Sequence, residues 1–305
     1  MFFENKLKNI LVTGPLAVDK AVYSSHYDPQ NTRIRSVLEG IQNYVSIPAK
    51  VDFSFGCEVV DEVWPEGKII LFPLTRDEKN GIDVACTKAK KSELISTVMG
   101  EDGQHCGESR SRTNLGLLGS QFQLLQVLKR DRQTNHSNSN QQKTIINWEN
   151  QYIQAILEAW SPNVEGSNAI SKTILGDYNP GGKLPITFPR SVGLLELNFS
   201  YKPSSQLGQP SSEPNGTGKT SVVGELYPFG YGLSYTQFEY QNLNIFPETG
   251  RTQQQVQVSI EAINAGKVKR DAVVQLYFND LVSSVNVYQL QLSRFECITL
   301  DRGRD

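Results

Sequence analysis

The chain has 305 residues, 38% apolar and 20% charged, enough for a sizeable hydrophobic core and, at this length, for two domains. Its 30 basic and 32 acidic side chains leave a formal net charge of -2, so no global field draws it to nucleic acid or an anionic membrane, and a neutral, hydroxyl-rich partner fits better. No apolar run reaches the roughly 18 residues of a membrane span, and the opening MFFENKLKN has no apolar core of a signal peptide.

Asn9 to Thr13 reads as a short apolar strand stopped by Gly14 and Pro15. After a loop through Tyr27, Arg35 to Val45 carries Val37, Leu38 and Ile41 on one helical face, and Val51 to Phe55 alternates as a second strand. A loop from Cys57 to Pro73 leads into a helix over Asp77 to Ser92, with Ile82, Ala85 and Ala89 suited to packing on a sheet. Leu94, Ile95, Thr97 and Val98 form a buried strand, and Gln121 to Leu128, with Phe122, Leu125 and Leu128 spaced by three, forms the next helix. Strand and helix in alternation predict an α/β fold: a mainly parallel sheet covered by helices on both faces, an α/β sandwich.

Between that strand and helix the chain changes abruptly to Gly100–Thr113, GEDGQHCGESRSRT. Ligands of open α/β sheets sit beyond the carboxyl ends of the strands, so a polar loop there is well placed for chemistry. Residue types leave two readings open. In one, Glu108 donates a proton while Arg110 and Arg112 grip a polar substrate; in the other, the loop is solvated and its charges pair among themselves.

From Lys129 to Thr144, KRDRQTNHSNSNQQKT, there is no aliphatic or aromatic residue where another buried strand is due. One reading is a polar, disordered insertion. The other is a local shift of reading frame. With suitable codons, removing a single adenine turns the text from Lys129 into Lys-Glu-Thr-Gly-Lys-Pro-Ile-Ile-Leu-Ile-Leu-Ile, a turn followed by a buried strand. As written, the segment is expected to cost the sheet a central strand.

Apolar residues return at Ile145 to Trp148 and Tyr152 to Ala159, and Ser161-Pro162 ends the apolar run at Trp160, whose ring suits either sugar stacking or core packing. Gly166 to Leu175 reads as a helix, GDYNPGGKLP as a turn, and Ile186 to Phe188 as strand-like. Ser204 to Gly224 is linker-like. Its EPNGTGKT nearly spells a phosphate-binding loop, but Glu213 stands where the first glycine is required and no apolar strand precedes it. Phe238 to Leu243, Val256 to Ile263 and Ala272 to Phe278 alternate as strands. The cysteines, Cys57, Cys86, Cys106 and Cys297, form no CxxC pair; no metal and no cofactor are expected, and His26 and His136 have no supporting constellation.

The loop through Glu108, together with TGPLAVD (Thr13 to Asp19), ILEAWSPNVEGSNAI (Ile156 to Ile170), GDYNPGGKLPITFPRS (Gly176 to Ser191) and ELYPFGYGLSYTQFEY (Glu225 to Tyr240), resembles the carboxyl-terminal part of the family 3 glycoside hydrolases, in their bacterial β-glucosidase and β-xylosidase branch. The resemblance implies a retaining β-glycosidase acting on terminal β-linked glucose or xylose, with a β-linked oligosaccharide or glycoside as partner. Such an enzyme uses two carboxyl groups roughly 5 to 5.5 Å apart. The family divides them between domains: a nucleophilic Asp on an amino-terminal barrel, which nothing here matches, and an acid/base Glu in the loop that reads CGESRSR, hence Glu108. His105, Arg110 and Arg112 are implied as substrate contacts. Further implications are an α/β sandwich domain over 1–203, a connector over 204–237, a truncated fibronectin type III-like domain over 238–305, and a periplasmic or secreted location. The family's Asp-Leu-Pro-Gly after the arginines reads Gly116-Leu117-Leu118-Gly119, which bears on how the loop exits. Two other functions compete: a noncatalytic carbohydrate-binding module, and the nonfunctional fragment of a damaged gene.

Overall fold

The structure is a computed structural model describing residues 7–21, 33–45, 49–68, 70, 72–131, 136–140, 147–194, 197–202, 224–251, 253–266 and 268–303. The loop at Tyr27, His26 and the EPNGTGKT segment lie outside them. The chain divides into two compact units, one of 1–178 with 188–195, the other of 179–187 with 196–305.

The first unit is built on a parallel sheet in the order β2-β1-β3-β4-β5, from β1 (Asn9–Thr13), β2 (Lys50–Ser54), β3 (Leu94–Gly100), β4 (His136–Asn140) and β5 (Ala155–Glu158). Successive side chains of a strand point to opposite faces, and the sequence uses both. Ile10 and Val12 of β1 and Leu94 and Val98 of β3 join one core with Val37 and Ile41 of α1 (Val37–Tyr44) and Ile170 and Ile174 of α5 (Asn163–Leu175). Leu11, Ile95 and Met99 join the other with Ile82, Ala85 and Ala89 of α2 (Arg76–Ala89) and Leu124, Leu125 and Leu128 of α3 (Gln121–Asp131). Helices therefore cover both faces, as the alternation of strand and helix predicts.

Local chemistry sets the helix ends. Ser36 caps α1 and Thr75 caps α2, each in a reciprocal box with the Glu three residues on, Glu39 and Glu78. Gly176, at φ 90°, ends α5 in the left-handed conformation that glycine adopts most cheaply. A short α4 (Asn147–Tyr152) precedes β5.

The polar segment behaves differently from the expectation of a lost strand. Its residues His136 to Asn140 pair in parallel with β3 on one side and β5 on the other. Backbone groups supply the whole ladder in a parallel sheet, so a strand can form from residues that side-chain pattern argues against.

Two short strands follow, β6 (Phe188–Pro189), briefer than the expected Ile186 to Phe188, and β7 (Glu225–Tyr227). In the second unit, β8 (Phe238–Phe246) pairs antiparallel with β9 (Gln257–Asn264), and β10 (Arg270–Phe278) with β11 (Gln291–Leu300). The first three of these match predicted strands. β11 does not, because its residues are half-buried or exposed throughout and carry little burial pattern to read.

Candidate active site

Strand order locates the place where this sheet can accept a ligand. From β1 the chain passes to β2 on one side and then to β3 on the other, so the carboxyl ends of β1 and β3 mark the switch point of the strand order, where ligands of such sheets bind. Gly14 follows β1 at φ 111°, so close to β3 that a Cβ there would lie 2.3 Å from the Val98 carbonyl oxygen. The residues leaving β3 are the Glu108 loop.

That loop is tied at its neck. Gln121, the first residue of α3, is fully buried, and its side-chain amide grips the last residue of β3: Oε1 accepts from the Gly100 N–H at 2.9 Å while Nε2 donates to the Gly100 carbonyl at 2.9 Å. The same nitrogen donates to Leu118 O at 3.1 Å and approaches Val59 O at 3.3 Å. The exit GLLG is likewise anchored: Leu118 is buried in the core, and Gly119, at φ 55°, lies where a Cβ would meet the Val59 and Val60 backbone at 2.8 Å.

Inside the loop the charges sort themselves. Arg112 pairs with Glu101, both side chains 11% exposed, and its Nη2 donates to Gly116 O at 2.6 Å. Burial pulls the Arg112 guanidinium below its ordinary pKa. His105 is buried, with Nδ1 against the Asp102 carboxylate and its ring edge-on to Trp64 at 4.5 Å. Asp102 Oδ1 also accepts from the Gln104 and His105 N–H groups, at 2.9 and 3.1 Å, which folds the loop's first turn. Burial raises the Cys106 thiol pKa, with Arg110 opposing, which disfavours a thiolate nucleophile.

Glu108 stands apart from these pairings. It is exposed, between Gly107 and Ser109, both at positive φ (140° and 61°), and it makes no hydrogen bond or ion pair to any described residue. Arg110 is exposed beside it. Most of the loop's charges thus pair among themselves, and the Glu108 carboxylate is displayed. Of the four predicted site residues, His105 and Arg112 have polar atoms engaged within the loop, whereas Glu108 and Arg110 face outward. Sequence reasoning missed Gln121, Asp102 and Trp64; a buried glutamine at the first position of an amphipathic helix was the available signal for Gln121. Trp160 is half-buried with its ring edge-on to Phe188 at 6.2 Å, a packing role. Among the described residues, no group of three or more His, Cys, Asp or Glu side chains is assembled as for a metal ion, and no helix is long and apolar enough to cross a membrane.

Residues 2–235 match the family described as the glycosyl hydrolase family 3 C-terminal domain. The chain is 33% identical over 308 residues to a periplasmic beta-glucosidase of Salmonella typhimurium and 31% identical over 306 residues to a beta-xylosidase of Formosa agariphila, covering 98% of this chain and 40% of each relative. Among solved structures, a beta-glucosidase involved in saponin metabolism from intestinal bacteria superposes with a TM-score of 0.80 at 27% identity, over 98% of this chain and 44% of that one. A beta-glucosidase from Erythrobacter marinus gives 0.81 at 27% identity, over 98% and 40%. The chain therefore spans about two fifths of the length of the relatives it matches.

Proposed function

Because this chain belongs to glycosyl hydrolase family 3, through that family's C-terminal domain, we propose that it supplies the acid/base carboxyl of a retaining β-glycosidase that removes terminal β-linked glucose or xylose. The observation that carries the reading is Glu108, an exposed carboxylate with no hydrogen bond or ion pair to a described residue, in the CGESRSR loop, which leaves the sheet at its topological switch point and is held at the neck by Gln121. A general acid must reach the leaving-group oxygen of a bound glycoside, and a displayed side chain on a braced loop suits that task.

Retention needs a second carboxyl group to attack the anomeric carbon while Glu108 protonates the departing oxygen; Glu108 then takes a proton from water as it opens the covalent intermediate. In this reading the nucleophile is an Asp of a barrel module outside this chain, in line with the chain's two-fifths share of its relatives. Arg110 meets sugar hydroxyls, and His105 and Arg112 act on the substrate through the loop shape they maintain. As family domains, 1–203 is the α/β sandwich, 204–237 the connector and 238–305 part of a fibronectin type III-like sandwich; the compact units cut across these by grouping 179–187 and 196–202 with the later strands. A periplasmic or secreted setting fits the Salmonella relative's name.

The test is complementation. The chain is mixed with a separately produced family barrel that carries the Asp nucleophile, and hydrolysis of an aryl β-glucoside is followed. We expect hydrolysis that Glu108→Gln lowers by about 100-fold or more on a poor leaving group. Brisk hydrolysis by this chain alone, or activity indifferent to Glu108→Gln, would refute the assignment.

A further inference from the structure

The unabsorbed feature of this molecule is β4, and its place in the sheet makes it informative. In register, Asn138 lies between Val98 of β3 and Leu157 of β5, which both pack in the core under α1 and α5. Ser137 lies between the fully buried Thr97 and Ile156, and Ser139 beside Met99; Ile156 and Met99 both pack in the core under α2 and α3. The positions on either side of β4 thus feed both cores. A parallel strand covered on both faces is normally a near-continuous run of Val, Ile and Leu. The β4 sequence HSNSN is the opposite in composition, with no aliphatic or aromatic residue.

We propose that the apolar strand belonging to this position is encoded in the same DNA, one nucleotide out of register, and that the polar text is a local displacement of the reading frame beginning near Arg130 and restored by Ile145. The genetic code makes this claim sharper than a choice of convenient codons. If one nucleotide is removed upstream, each displaced codon consists of the last two bases of the written codon and the first base of the next. Asn135, His136, Asn138 and Asn140 then become isoleucine if their codons end in thymine, and threonine if they end in cytosine. Ser137 and Ser139 become leucine from TCT or valine from AGT, while serine codons ending in any other base give Pro, Gln, Arg or Ala. One rule covers the stretch: thymine in the third position throughout Asn135 to Asn140 yields an unbroken strand of Ile with Leu or Val. With AGA or CGA at Arg130, GAC at Asp131, AGG or CGG at Arg132, CAA at Gln133 and ACC at Thr134, the same displacement reads Glu-Thr-Gly-Lys-Pro, whose glycine and proline suit a turn ahead of a strand.

The inference does not depend on the catalytic reading, since it concerns the sheet and not Glu108. Two measurements test it, and it requires both. Sequencing the gene should find thymine as the third base of every codon from Asn135 to Asn140; another base at any of them overturns the proposal. In the full chain, the combined variant Asn135→Ile, His136→Ile, Ser137→Leu, Asn138→Ile, Ser139→Leu, Asn140→Ile should unfold at a Tm higher by about 10 °C or more, because an apolar run suits a strand whose neighbours feed both cores. A Tm unchanged or lowered would mean that the position does not call for an apolar strand, and would overturn it equally.

Discussion

Gln121 is a neutral side chain in a dry setting, and its value lies in matching a backbone that would otherwise go unsatisfied. Gly100 is where β3 hands over to the loop, beyond the end of its pairing with β1 at Thr97, and the Gln121 amide bonds both the N–H and the carbonyl of that one residue. Leucine has nearly the same volume and neither function. We expect Gln121→Leu to cost about 3 kcal/mol or more, because buried groups of Gly100 and Leu118 are left without partners. Denaturant unfolding measures the loss, and amide exchange at Gly100 should quicken beyond what global destabilisation explains. A cost under about 0.5 kcal/mol would show that water replaces the side chain. Removing the Glu108 carboxylate, by contrast, should leave stability nearly unchanged, since it is exposed and makes no hydrogen bond or ion pair to a described residue. An equal loss in both variants would contradict the division between brace and displayed acid.

At the scale of elements, the two faces of the sheet are held by apolar burial, with a few polar ties that titrate. Tyr44, the last residue of α1, donates its hydroxyl to Asp177 just beyond α5, joining the two helices of one face. That hydrogen bond, with burial and the carboxylate's charge adding to it, pushes the Tyr44 phenol up to about 12 from its usual value near 10. A pKa raised by folding means that the protonated phenol is the stabilised form. The contribution of this tie is therefore complete below a pH of about 10 and disappears as the pH rises through about 12. The stability difference between the parent and Tyr44→Phe should accordingly be largest near neutrality and shrink across that window. The parent-minus-variant ultraviolet titration should show one phenolate step near 12, and a step near 10 would mean that the hydrogen bond does not form in solution. The antiparallel pairs each carry a register shift, with Asn242 and Leu243 of β8 set against the single Ile260 of β9, and Ser293 of β11 left extra opposite the Leu276–Tyr277 step of β10.

On the scale of the whole molecule, surface chemistry governs behaviour in solution. The net charge of -2 gives little mutual repulsion. In the second unit, Phe246 of β8 and Phe295 of β11 are 68% and 66% exposed, alongside exposed Leu243, Val256 and Ile260. Exposed apolar side chains on sheet strands favour association. We expect the isolated chain to bind an apolar dye such as ANS and to form larger species as concentration rises, with Phe246→Ser combined with Phe295→Ser reducing both; light scattering that stays monomeric would refute this. In the first unit β1, β2 and β3, helices α1, α2, α3 and α5, and the candidate acid Glu108 were legible in the sequence because side-chain periodicity, caps and a motif are local properties, written within a few residues of one another. Tertiary structure alone decided that Gln121 closes the loop neck, that Arg112 is consumed by Glu101 and that His105 lies under Trp64, since each depends on residues brought together by the sheet order. It also decided that a polar segment occupies the gap between β3 and β5. Strand pairing is made by backbone groups that every residue carries, so a neighbouring strand's unmet hydrogen bonds can recruit a segment that its own side chains would not have placed there.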